Sequence, residues 1–231
     1  MLTVVAGAGG GMVLLAIMLQ LTPPVVAIPA HGVVQLAANL TRTWLFRRNL
    51  VWPLIWRFAL LLPVGVVVGL LLFQGLPERI VKMLIGCFVL LTLVSERFLP
   101  VRGKEIPLWA FVPLGFITGI MNMIVGVIGP VIAALVVRRD IRKEAVVGTL
   151  GFFGVIGNLT KIIGFTYVGF SFVKYWPLLI LMVPASVLGM NIGKHLLWRF
   201  SEQTFRKLLQ TVLLILAGKL IFYDGLGWLW V

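Results

Sequence analysis

One cysteine, two histidines and seven acidic residues are all that a chain of 231 residues offers to the commonest kinds of protein chemistry. A lone Cys87 excludes a disulfide within the chain and leaves a cysteine-based metal site without ligands; inside its apolar run it reads as a packing residue. The acids, Glu78, Glu96, Glu105, Asp140, Glu144, Glu202 and Asp224, all fall at the ends of apolar runs or between them. A metal-cation pathway wants buried carboxylates, and the usual proton relay wants one within the membrane, so both lack the residues. No Walker sequence, nucleophile elbow or zinc motif is present, and no paired catalytic groups are in view. The sequence therefore predicts no enzyme, no metal and no cofactor. A basic n-region is missing too, so MLTVVAGAGGG does not read as a signal peptide.

What the chain has in abundance is apolar surface. With 61% apolar residues, it cannot hide that surface in one soluble core, and it reads as an integral membrane protein. The net charge of +13 comes from Lys and Arg gathered in short clusters between apolar runs, which is the pattern that orients membrane proteins. Acidic lipid head groups, and not nucleic acid, are the expected partner of that charge.

The stretch from Pro107 to Val137 holds thirty-one residues without a charge, long for one crossing of about twenty. Gly126, Gly129 and Pro130 break its middle, and a break at membrane depth survives only where protein or a wet cavity covers it. The expectation is a helical hairpin that enters, turns at 126–130 and returns to the same side; a single proline-kinked span is the bland alternative. Basic residues flank both ends, Arg97, Arg102 and Lys104 before it and Arg138, Arg139, Arg142 and Lys143 after it, which places both ends in the cytoplasm. Apolar helices are expected at about 25–46, 50–73, 78–98, 145–165, 174–198 and 203–222, with a tail at 223–231 whose tryptophans suit the head-group zone. On this topology 14 of the 20 Lys and Arg lie on or beside inner loops, and the outer link 166–173 has none.

The chain repeats itself. Asn39-Leu40-Thr41-Arg42 returns 119 residues later as Asn158-Leu159-Thr160-Lys161, and at the same displacement Gly7 meets Gly126 and Gly10 meets Gly129. Further on the displacement becomes 124, matching Trp52-Pro53-Leu54 to Trp176-Pro177-Leu178, Gly65 and Gly69 to Gly189 and Gly193, and Glu78 to Glu202. The expected fold is an all-α membrane protein of two inverted repeats, residues 1–99 and 107–222, each a Gly-broken hairpin plus three transmembrane helices. An odd number of crossings in each half forces the two halves to run in opposite senses.

His31, Gln35 and Asn39 are spaced four apart and share one helix face, which Arg42 continues; their partners in the second half are Leu150, Gly154, Asn158 and Lys161. Polar groups in hydrocarbon need a partner or a wet cavity, so these side chains are candidates for a binding site, with helix-to-helix glue as the plain alternative. Broken helices offer free N–H groups, Asn donates without charge, and Lys or Arg balances charge: the chemistry points to a small anion. The expected site takes in Gly9, Gly10, Gly11, His31, Gln35, Asn39, Arg42, Asn122, Gly126, Gly129, Pro130, Asn158, Thr160 and Lys161. Lys161 is expected to matter more than Arg42, which lies near the inner end of its helix and can reach head groups. Gly65-x-x-x-Gly69 and Gly189-x-x-x-Gly193 read as close-packing signals within one chain or in a homodimer.

The Gly7 to Gly11 cluster, the Gly126 to Pro130 turn and the two Asn-Leu-Thr-base repeats together resemble the TauE/SafE sulfite-exporter family over nearly the whole chain. The resemblance implies movement of sulfite or a related sulfur anion, an organosulfonate included, across the inner membrane. Only six residues precede the first Gly cluster, where family members carry a longer apolar stretch, so the first hairpin is expected to lack its entering arm. The expected function is a secondary transporter, most simply an exporter, in which two halves rock around the anion; the alternative is a non-transporting membrane scaffold.

Overall fold

Prolines and glycines set most of the helix ends in the computed structural model, which describes residues 2–98, 106–127, 129–136, 141–186 and 202–226. Helix α1 spans Leu2–Leu21 and α2 Pro24–Leu45, joined through Pro23, whose extended backbone (ψ 155°) stops one helix before Pro24 opens the next. Then follow α3 (Trp52–Gly75), α4 (Glu78–Phe98), α5 (Phe111–Ile124), α6 (Gly129–Val136), α7 (Lys143–Tyr167), α8 (Phe172–Ser186) and α9 (Glu202–Gly218), which widens into a π-helical turn at Lys219–Tyr223. All regular structure among the described residues is helical.

Two expectations change. Helix α1 runs unbroken through Gly7, Gly9, Gly10 and Gly11, because a glycine in a helix costs only about 1 kcal/mol whereas an unmet backbone group in an apolar setting costs several. The expected Gly-broken first hairpin is thus a plain turn at residues 22–23. By length and composition α2, α3 and α7 can cross a membrane. Helix α4, expected to span, carries Glu78, Arg79 and Lys82 at one end and Glu96 and Arg97 at the other; α8 is described only to Ser186 and α9 has 17 residues. The interfacial tail falls largely outside the described residues.

The second hairpin is there. Helix α5 closes as the N–H groups of Val125 and Gly126 both turn back to the Met121 carbonyl, and Gly126 takes a positive φ of 79° that side chains disfavour. Helix α6 resumes at Gly129, with Pro130 in its first turn, where a missing N–H costs nothing.

Glycine contacts fix the directions. Gly65 faces the Phe116 carbonyl, Gly69 the Ile120 backbone, Gly115 the Phe58 carbonyl and Gly119 the Leu62 carbonyl, so α3 and α5 cross in parallel with backbones touching. Gly65-x-x-x-Gly69 is therefore used within the chain, against Gly115-x-x-x-Gly119; Gly189 and Gly193 lie outside the described residues. Phe58 stacks on Phe153 at 4.0 Å and Phe73 meets Phe165 at 5.3 Å, which makes α7 parallel to α3 as well. Helix α2 runs the other way against α7: Gly148 packs on Phe46, Gly151 on Thr43, Gly154 on Asn39, and Gly32 on Lys161.

Because α5 and α7 both run parallel to α3, α6 has to bring the chain back. Trp109 accordingly meets Trp56 near the start of α3, and Thr149 Oγ1 accepts a hydrogen bond from the N–H of Val51 at 3.0 Å. Helices α5 and α7 therefore both start at one end of the bundle.

Candidate functional site

Between α2, α7 and the tip of the α5–α6 hairpin lies a cavity of about 110 Å³. One water needs roughly 10–15 Å³ on such a measure, so an anion of a few heavy atoms fits. His31, Gln35, Asn39 and Arg42 line one side from α2, Asn158 and the bare backbones of Gly154 and Gly157 the other from α7, and Asn122, Gly126 and Gly129 face it from the hairpin. Glycine at 154 and 157 keeps the wall open, since a Cβ at 154 would strike the Asn39 amide and one at 157 would sit 3.3 Å from Asn122 Nδ2.

Hydrogen bonds hold the polar groups in set directions. Arg42 Nη1 donates to Asn39 Oδ1 at 3.3 Å, which leaves Asn39 Nδ2 as a donor. Asn158 Nδ2 donates to its own helix at the Gly154 carbonyl, 2.7 Å away. His31 Nε2 lies 2.9 Å from the Gly11 carbonyl, which can only accept, so the ring nitrogen donates there. Gln35 reaches the same ring atom at 3.1 Å, and its amide must then turn its oxygen to the ring. The Nδ1 atom of His31 is buried without a partner among the described residues.

Hairpin and α7 are tied by two rungs one helical turn apart. Asn122 Nδ2 donates to the Gly157 carbonyl at 2.8 Å, and Lys161 Nζ donates to the Gly126 carbonyl at 2.8 Å. The carbonyl that the helix break releases at Gly126 is thereby satisfied. Lys161 is fully buried, with its stem laid over Gly32, so its ammonium does not reach out to the head groups. No carboxylate pairs with it; among the described residues the ion pair is Lys82 with Glu78, along α4.

Of the expected residues the structure thus gathers His31, Gln35, Asn39, Arg42, Asn122, Gly126, Gly129 and Asn158 around one cavity. Lys161 stands behind the wall and acts on it through Gly126. Gly11 contributes its carbonyl to His31, while Gly10 is exposed with open space at its Cα. Thr160 turns away from the cavity and donates back to the Ile156 and Gly157 carbonyls at 2.8 and 3.1 Å. The surroundings of Gly9 and the side chain of Pro130 lie outside the described residues. Thr118, Val127 and Phe153 line the cavity without having been singled out. Thr118 stands one turn before Asn122 on α5, a polar residue in an apolar run that could have marked it.

No curated protein and no solved structure matches the chain. A family model described as sulfite exporter TauE/SafE matches residues 1–220, nearly the full length, and the chain belongs to that family of membrane transporters.

Proposed function

We propose that this protein is a multi-pass secondary transporter of the inner membrane that exports sulfite or a related sulfur anion, such as an organosulfonate, by alternating access. The observation that carries the reading is the cavity: Arg42, the asparagines at 39, 122 and 158, and a glycine-opened backbone converge on it, and no carboxylate lines it. Such a lining favours an anion and repels a cation. Membership of a sulfite-exporter family supports sulfur oxyanions over other anions of similar size.

The repeated spacing of the helices supports the moving part. Helices α2 and α7 begin 119 residues apart, α4 and α9 124 apart, and the α-helical part of α8 begins at 176, 124 beyond α3. Gly32 meets Lys161 just as Gly151 meets Arg42, each pair being the other displaced by 119. The antiparallel packing of α2 on α7 is what an axis in the membrane plane between two inverted halves would give, and a cavity between them suits a pivot of the kind on which inverted-repeat transporters rock.

Flux decides the matter. In proteoliposomes the parent protein should move sulfite down its gradient, and Asn39→Ala and Asn158→Ala should each slow it at least several-fold while remaining monodisperse and helical. If folded parent protein moves none of a panel of sulfur oxyanions, the transporter reading fails and the non-transporting scaffold takes its place.

A further inference from the structure

Near the start of α3 and away from the cavity, a cation is held in a way that the transport site does not use. The guanidinium of Arg57 lies over the rings of both Trp56 and Trp109, 4.2 and 4.9 Å from their centroids, and the two rings stand nearly perpendicular, at 87°. Its Nη1 donates to the Pro53 carbonyl at 2.6 Å, and its Nε is buried with no partner among the described residues. Among the described residues no carboxylate balances it. A guanidinium stacked on aromatic faces is pre-oriented, and its planar fork suits a phosphate oxyanion better than a mobile lysine would.

What runs from this cluster along the bundle is equally specific. Leu60, Val64, Val67 and Leu71 of α3 are each more than half exposed and recur every three to four residues. From Arg57 to Leu71 a helix rises about 21 Å, while one leaflet of hydrocarbon is about 15 Å thick. The stripe is long enough to receive an acyl chain whose head group sits at Arg57. Trp56 and Trp109, both exposed, have the amphipathic character of side chains at that depth.

We propose that Arg57, Trp56 and Trp109 form a binding site for the head group of an anionic phospholipid, whose chain lies along the exposed face of α3. The site differs from general attraction of acidic lipid to a basic protein, because Arg48, at the same end of the bundle, is exposed and has neither aromatic cage.

The test measures binding of phosphatidylglycerol to the full-length protein by native mass spectrometry from mixed micelles, with phosphatidylcholine as the zwitterionic reference. The parent should retain phosphatidylglycerol preferentially. Arg57→Gln should weaken that retention about ten-fold, the loss expected for one charge-assisted hydrogen bond, and Trp109→Leu should weaken it less. Arg48→Gln should leave it within two-fold. Equal losses in Arg57→Gln and Arg48→Gln, or no loss in Arg57→Gln, would overturn the site. Competition by millimolar inorganic phosphate would overturn it also, by showing a free-phosphate site in place of a lipid one. Melting of each variant in the same detergent confirms that it is folded, and anion flux should not change with Arg57→Gln.

Discussion

Arg42 and Lys161 stand at equivalent places in the two repeats, yet their surroundings give them different tasks. Arg42 lines the cavity and turns the Asn39 amide, whereas Lys161 is sealed behind the wall with its ammonium on the Gly126 carbonyl. The sequence pointed to Lys161 as the stronger anion partner; the structure puts Arg42, and not Lys161, on the cavity wall. Arg42→Gln should weaken sulfite binding by roughly ten- to a hundred-fold at low ionic strength, the worth of about 1.5–3 kcal/mol for a charge-assisted hydrogen bond, and the deficit should shrink as salt screens the parent. Lys161→Met keeps the apolar stem but strands a buried carbonyl, so it should cost about 1–3 kcal/mol of stability. Hydrogen exchange should then rise over 125–136 before the rest of the bundle opens. An unaltered exchange pattern there would show that the rung to Gly126 contributes nothing.

At the scale of helices, the scaffold behind the cavity is the crossing of α3 on α5. An alanine at Gly65 or Gly115 already drives its Cβ into a facing carbonyl oxygen, and both backbones would have to part. Gly65→Leu should therefore exceed the ~1–3 kcal/mol usual for overpacking and lose the folded, monodisperse protein. Gly164→Ala makes the contrast, since its Cβ would meet Val66 at 3.5 Å and Leu70 at 3.6 Å, ordinary contact distances. It should melt within a degree or two of the parent. How much of this was legible follows from the kind of signal each element carries. Helix starts at Pro24, Trp52 and Glu78 were readable because proline and acid mark first turns. The His31, Gln35, Asn39, Arg42 face was readable because polar residues four apart stand out in an apolar helix. Gly115-x-x-x-Gly119 was in plain view, but nothing in a sequence names its partner, and the rungs from Asn122 to Gly157 and from Lys161 to Gly126 depend on two parallel helices 35 residues apart. The glycines at 7–11 misled, because a glycine permits a break without requiring one.

At the scale of the molecule, the directions of four helices constrain the topology more tightly than charge counting does. Helices α3, α5 and α7 run parallel and α2 runs against them, so α5 and α7 start at the end of the bundle where α2 finishes, and Tyr167 ends α7 at the other. A hairpin that fails to cross is the arrangement that lets α5 and α7 share a direction with one short helix, the eight-residue α6, between them. Basic residues then predict which end is cytoplasmic, since Arg47, Arg48, Arg142 and Lys143 all belong to the end where α2 finishes. Cysteine labelling reads this out. Cys87 is exposed and must first be replaced by serine. On that background, cysteines introduced at Gly103 and Asp140 should both be shielded in intact cells from a membrane-impermeant maleimide and labelled after permeabilisation, and Ser171→Cys should label from outside. Opposite accessibility of positions 103 and 140 would make the uncharged stretch a true crossing. It would then put α5 and α7 in opposite senses, against the packing of both on α3, and remove the inverted repeat on which the rocking mechanism depends.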